Sequence, residues 1–314
     1  MWKKELAYVH YYWGKYGYTP KHLKASFRGG EFSDLPNNKY WKENPINNEI
    51  HFSPFHLNKN TVNLYVKKLN DVKPLFFHGY PSSISSLMMN MKSEGLKLYY
   101  QPKCIFLVSE NYSNEQIEGI KNFFKCKIFT FYGHSERLVF APVTNDNLDC
   151  YQPDPFYGYF ELVNHNGVIT ENNVEGEIVG TGFDNWAMPL IRYKTGDITS
   201  YNDFENQKIN VIQGRWKQES LCGLNEQEVT LTALNMHSDI FENVLNYQFY
   251  QEKKGIVELR LIVNEKYNRK DEEQILIALN KKAGHAILFS IKIVDGLELT
   301  QRGKFKKLIK RIDD

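Results

Sequence analysis

Four short segments carry residue types whose chemistry goes beyond packing. In Phe131-Tyr132-Gly133-His134-Ser135-Glu136, Tyr132 offers a ring face for stacking and Gly133 admits a sharp turn. Glu136 offers a hard oxygen ligand of the kind Mg²⁺ takes. In Pro189-Leu190-Ile191-Arg192-Tyr193-Lys194-Thr195-Gly196-Asp197, the Asp just beyond a Thr-Gly turn can accept two hydrogen bonds, as from the vicinal hydroxyls of a ribose. Gly214-Arg215-Trp216-Lys217 joins a glycine suited to a hinge with a guanidinium that can bind ribose or phosphate. Leu299-Thr300-Gln301-Arg302-Gly303-Lys304-Phe305-Lys306-Lys307 sets the compact charge of Lys304 after a glycine, with Lys306, Lys307, Lys310 and Arg311 expected on a short helix. Taken singly, each also reads as an ordinary surface feature: a strand-end turn, a turn Asp, a charged turn, a solvated basic helix.

The elements that must position these segments follow from periodicity. Residues 1–70 are irregular in pattern and rich in aromatics, apart from helical spacing over Val62–Leu69. From residue 72, short apolar strands at Val72–His78, Lys103–Val108 and Lys127–Phe131 alternate with helical spacing at Ile84, Leu87, Met88 and Met91 and over Asn114–Phe124. That alternation predicts βαβ units and a parallel sheet, with ligands at the carboxyl ends of the strands. Gly79–Ser82, Ser109-Glu110 and Tyr132–Glu136 stand at those ends. Beyond residue 155 strands dominate: Tyr157–Val163, Val174–Gly182 and Lys208–Ile212, with Asn166-Gly167 as a turn. The last third reads as a small α+β domain, with helices over Glu226–Met236 and Glu272–Lys282 and strands over Val244–Phe249, Ile256–Val263 and Ile287–Val294.

Composition narrows the function classes. The chain has 314 residues, 42% hydrophobic and 24% charged, so it is expected to fold over most of its length. Lys plus Arg is 39 and Asp plus Glu is 37, and a net charge of +2 excludes bulk electrostatic binding of nucleic acid as the main function. No apolar run reaches the roughly 18 residues of a membrane-spanning helix, and the Met1-Trp2-Lys3-Lys4-Glu5 start lacks the apolar core of a secretory leader. Cys104, Cys126, Cys150 and Cys222 form no C-x-x-C pair and read as reduced thiols of a cytoplasmic protein.

The order and spacing of the segments say more than each alone. Tyr-Gly-x-Ser-Glu at 132–136, Gly-Glu-Ile-Val at 176–179, Arg-Tyr-x-Thr-Gly-Asp at 192–197, Gly-Arg at 214–215 and Gly-Lys-Phe at 303–305 resemble the adenylate-forming (acyl-CoA synthetase-like) superfamily. Gly79-Tyr80-Pro81-Ser82-Ser83-Ile84, Phe27-Arg28-Gly29, Tyr157–Glu161 and Ala187–Tyr193 are similar to its phenylacetate–coenzyme A ligase-like branch, which includes adenylating proteins of capsular polysaccharide biosynthesis.

The resemblance spans essentially the whole chain and implies a fold, an activity and a site. The fold would be α/β. An adenylation core over 1–213, with a mixed, largely parallel sheet and a β-rich subdomain, precedes a hinge at 214–218 and a small mobile α+β domain over 219–314. The activity would be ATP-dependent, AMP-forming activation of a small-molecule carboxylate, then transfer to coenzyme A or another acceptor. Tyr132, Gly133, Ser135, Asp197 and Arg215 would hold the nucleotide, and Glu136 would hold Mg²⁺. Lys304 and Glu136 would be catalytic, Lys217 would be the hinge residue, and Gly79, Tyr80 and Pro81 would lie at the acyl pocket. The carboxylate, the acceptor and the oligomeric state are not legible.

Two departures from the family pattern matter. The upstream Thr/Ser-Ser-Gly-Ser/Thr-Thr-Gly phosphate loop has no counterpart, and Phe27-Arg28-Gly29-Gly30 does not replace it. The chain therefore reads as an N-terminally truncated member, with a catalytically impaired binding or scaffold protein as the alternative to an active ligase. After the Gly-Arg pair, Gln218 stands where an acidic residue is common. Cys150 lacks a partner for the zinc site of some relatives, so no zinc is expected.

Overall fold

In a computed structural model, the structure describes residues 2–30, 32, 35–36, 39–110, 112, 114–144, 147–212, 220–234, 239–298 and 307–312. The helices are α1 (Trp2–Gly14), α2 (Val62–Val72), α3 (Pro81–Ser93), α4 (Asn114–Phe124), α5 (Leu231–Leu234) and α6 (Arg269–Ala283). The first strands are β1 (Lys24–Phe27), β2 (Trp41–Asn44), β3 (Glu49–Phe52), β4 (Phe76–Gly79), β5 (Cys104–Leu107) and β6 (Lys127–Gly133). Next come β7 (Phe140–Thr144), β8 (Asn147–Tyr151), β9 (Gly158–Asn164), β10 (Gly167–Val168), β11 (Glu175–Gly182), β12 (Tyr193–Asp203) and β13 (Lys208–Ile209). The last are β14 (Ser220–Cys222), β15 (Glu228–Thr230), β16 (Val244–Lys253), β17 (Ile256–Val263), β18 (Leu288–Ile293) and β19 (Leu308–Lys310). Contacts divide the chain into two units: Met1–Lys24 with Pro74–Pro81 and Gln101–Lys217, and Ala25–Lys73 with Ser82–Tyr100 and Gln218–Asp314.

The first unit is built on strands in the order β10-β9-β11-β12-β13-β8-β7-β6-β5-β4. Strands β4, β5 and β6 run parallel, with Gly79 opposite Leu107 and Leu107 opposite Thr130. Every residue of β4 and β5 is buried, as expected of strands covered on both faces. From β6 onward the pairing is antiparallel, which makes the β-rich subdomain.

Helix α1 lies in the stretch read from sequence as irregular. Its buried side is made of rings rather than aliphatics. Trp13 stacks on Phe106 at 4.2 Å, Tyr12 on Phe140 at 5.5 Å, and Tyr8 meets Tyr157 edge-on at 5.0 Å. Tyr8 and Tyr12 are four residues apart, one helical turn, but tyrosine counts as half-polar in an apolar stripe and the period is muted.

In the second unit, β1, β3 and β2 form one set of strands, and Phe27 stacks on Phe52 at 5.0 Å. The C-terminal sheet has the order β18-β17-β16-β19, with α6 between the parallel strands β17 and β18. Two fully buried glutamines on β16 satisfy backbone groups of other segments. Gln251 accepts from the Cys222 amide at 2.8 Å and donates to the Cys222 carbonyl at 2.7 Å. Gln248 accepts from the Glu298 amide at 3.1 Å and donates to its carbonyl at 2.8 Å.

Two expected elements differ. The helix expected over Glu226–Met236 is instead β15 followed by the single turn α5, because Val229 and Thr230 are buried in a hairpin with β14. β-branched residues fit that ladder better than a helix interior. The basic C-terminal helix is a strand over Leu308–Lys310, in which buried Leu308 pairs with Phe249 of β16. All four cysteines are free thiols. No helix among the described residues is long and apolar enough to cross a membrane.

Candidate active site

The site lies in the first unit, at the carboxyl edge of the parallel strands. Gly79, Tyr80 and Pro81 leave β4 there, Ser109 and Glu110 follow β5, and Tyr132–Glu136 end β6. Tyr80 is buried, and the Gly79 carbonyl accepts from the Val108 amide at 3.1 Å, which ties the first two turns together.

Asp197 reaches this region through a bulge. Glu177 pairs with Ile198 and Val179 with Lys194, so Ile178 alone faces Thr195, Gly196 and Asp197. Such an insertion takes side chains off the ladder and re-aims them. Gly196 supplies the left-handed conformation the bulge needs, at φ +77°. Its amide donates to Glu177 Oε1 at 2.8 Å. The Thr195 hydroxyl donates to the Ile178 carbonyl at 2.9 Å and accepts from the Asp197 amide at 3.1 Å. The backbone carrying Asp197 is thus fixed on both sides.

The two motifs meet through a reciprocal brace. Tyr132, from the first, donates its hydroxyl to Asp197 Oδ2 at 2.7 Å. Tyr193, from the second, donates its hydroxyl to Glu136 Oε1 at 3.1 Å. Each motif supplies one tyrosine and one carboxylate, across 65 and 57 residues of sequence. Burial, and then the Asp197 charge, push the Tyr132 phenol far above the ordinary tyrosine range, so it remains a donor at neutral pH. Burial alone would raise Glu136. Its own backbone amide, Tyr193 and His134 outweigh it and hold the carboxyl below the usual glutamate range. His134 Nδ1 lies 3.1 Å from Glu136 Oε2.

Glu136 is positioned by glycines elsewhere in the chain. The turn closes with the Arg137 amide on the His134 carbonyl at 3.0 Å, and Arg137 has φ +57°. Leu138 then runs against β9 and β11, where a Cβ on Gly158 would stand 1.9 Å from the Leu138 carbonyl oxygen. One on Gly180 would stand 2.8 Å from Leu138 Cβ. A backbone contact of that kind cannot be relieved by a rotamer change, so Gly158→Ala is expected to destabilise the protein by about 2 kcal/mol. A urea midpoint equal to that of the unsubstituted protein would show that the 137–139 backbone yields freely.

The donor set fits a cation of one kind. Among the described residues no three His, Cys, Asp or Glu side chains converge as a metal cage. A partly exposed, ionised Glu136 does fit Mg²⁺, which commonly takes one or two carboxylates and draws its other oxygens from water and substrate.

The structure brings Tyr132, Glu136 and Asp197 together; Gly133 and Ser135 are exposed in the same turn. Arg215, Lys217 and Lys304 lie outside the described residues. Tyr193 and His134 were not among the residues singled out from sequence for the site. The signal available was their place inside the two motifs, one on each side of the brace.

Residues 221–311 match the family model described as the CapK C-terminal domain. The chain is 24% identical to Protein CapK of Staphylococcus aureus over 98% of this chain and 69% of that protein. Its fold is similar to that of 2-hydroxyisobutyryl-CoA ligase in complex with 2-HIB-AMP and CoA, with a TM-score of 0.52 and 15% identity over 95% of this chain. The match covers 66% of the ligase chain, so the protein spans about two thirds of that enzyme's length. The C-terminal residues are thus similar to the C-terminal domain of CapK, the whole chain is distantly similar to Protein CapK, and the fold is similar to that of an acyl-CoA ligase.

Proposed function

We propose that the protein catalyses AMP-forming activation of a small-molecule carboxylate. The carboxylate oxygen attacks the α-phosphorus of ATP, pyrophosphate leaves, and the acyl-adenylate passes its acyl group to coenzyme A or another acceptor. The proposed setting is capsule or surface polysaccharide biosynthesis, from the resemblance of the motifs to the branch that includes such adenylating proteins. The observation that carries this reading is the direct bond between Tyr132 and Asp197, with Glu136 braced to the same strand.

In this reading the Tyr132 ring stacks on adenine while its hydroxyl stays on Asp197. The Asp197 carboxylate would accept from the ribose hydroxyls. Glu136 would hold Mg²⁺, whose charge offsets that of the phosphates. Arg215 would sit beside the ribose, Lys217 would be the hinge residue, and Lys304 would stabilise charge on the reacting phosphate. Gly79, Tyr80 and Pro81 would border the acyl group. A small C-terminal domain turning at 214–218 would carry Lys304 in and out between half-reactions.

Calorimetric titration with AMP and with ATP–Mg²⁺, followed by a pyrophosphate-release assay over a carboxylate panel, tests the proposal. Saturable binding of both nucleotides and carboxylate-dependent pyrophosphate release are expected. A chain that binds neither nucleotide would be an inert scaffold of the same fold.

A further inference from the structure

We infer that Tyr193, together with His134, is a positioning residue that aims the Glu136 carboxylate at its cation. The inference rests on the proposed nucleotide and Mg²⁺ site. Two donors approach the two carboxylate oxygens separately, the Tyr193 hydroxyl at Oε1 and His134 Nδ1 at Oε2, each at 3.1 Å. With both oxygens held, the carboxylate plane is fixed against rotation about its terminal torsion. A free glutamate explores that torsion broadly. With the Glu136 backbone amide, three donors meet the roughly four lone-pair sites of the carboxylate, so the bonds orient the group and still leave a site for a cation.

The two donors come from different parts of the chain. His134 is two residues from Glu136 in the same turn, and its ring lies 5.8 Å from that of Tyr132. Tyr193 opens β12, 57 residues away, where its backbone pairs with Gly180. The same β12 carries Asp197, whose carboxylate receives Tyr132. The residue that aims the cation ligand and the residue that binds ribose therefore share one strand, four positions apart. Groups that hydrogen-bond a ligating carboxylate typically govern metal affinity by about 10- to 100-fold.

The test measures how strongly Mn²⁺ tightens binding of α,β-methylene-ATP, with the intact chain and no turnover. In the unsubstituted protein Mn²⁺ strengthens nucleotide binding, and Glu136→Gln removes that gain. Tyr193→Phe, which deletes only the hydroxyl, is expected to reduce the gain by about 10-fold or more while leaving metal-free affinity for the analogue unchanged. His134→Ala should act in the same direction. His134→Asn, which can return an N–H donor near the Nδ1 position, should recover most of the loss. A Tyr193→Phe protein that keeps the full Mn²⁺ gain, while Glu136→Gln loses it, overturns the positioning role and leaves the cation site standing. A Glu136→Gln protein that keeps the gain overturns the cation site and the positioning role together. Thermal unfolding at the unsubstituted midpoint shows that each variant is folded.

Discussion

Lys304→Ala is expected to abolish adenylate formation and to leave AMP affinity at the unsubstituted value. The two effects separate because of where charge develops. As a carboxylate oxygen approaches the α-phosphorus, negative charge gathers on the phosphate oxygens. An ammonium placed there is worth more at the transition state than with the bound product. Loss of one such preorganised group lowers the rate by roughly 10²–10³-fold, taking the forward half-reaction below detection in a pyrophosphate-release assay. Lys304→Arg should rescue poorly, since a planar fork does not replace a compact point charge. The described flanks of this segment are held on one strand. Glu298 is bonded both ways to Gln248, and the Phe249 amide donates to the Lys307 carbonyl at 2.7 Å. Strand β16 thus holds both Glu298 and Lys307. Equal losses of rate and AMP affinity would assign Lys304 to ground-state binding instead.

Much of the first unit was legible because its signals are local. Strand β5 is a short apolar run between turns, α4 shows helical spacing over Asn114–Phe124, and the Asn166-Gly167 turn closes β9 on β10. The candidate residues Tyr132, Glu136 and Asp197 were legible from motif order, and the structure joins the motifs of all three. What was not legible depends on long-range pairing. The bulge at Thr195-Gly196-Asp197 exists only relative to Ile178 on β11, and no spacing within β12 announces it. The glycines at 158 and 180 look like ordinary strand glycines until Leu138 is placed against them. Strand β19 read as a basic helix because its lysines dominate, while its one buried residue, Leu308, decides the ladder. The segments bearing Arg215, Lys217 and Lys304 remain expectations of sequence alone.

Asp197→Ala is expected to weaken AMP and ATP by the same factor. Both nucleotides present the same ribose, and in the proposed role the carboxylate meets only that shared part. One charged acceptor for sugar hydroxyls contributes ~1.5–3 kcal/mol, an affinity loss of roughly 10- to 150-fold. The brace complicates the experiment in a useful way. Removing Asp197 also strips the Tyr132 hydroxyl of its 2.7 Å acceptor, and a buried donor left unpaired costs about 1–3 kcal/mol of stability. Stability loss and affinity loss must therefore be read apart, by thermal unfolding without ligand and by calorimetry well below the midpoint. Asp197→Asn supplies the control, because a carbonyl oxygen still accepts from Tyr132 while the charge toward ribose is gone. If Asp197→Asn restores the unfolding midpoint but not AMP affinity, the carboxylate acts on the nucleotide. If it restores both, the lost affinity belonged to the brace, and ribose recognition lies elsewhere. A variant weakened for ATP but not AMP would place Asp197 at the phosphates and end the ribose assignment.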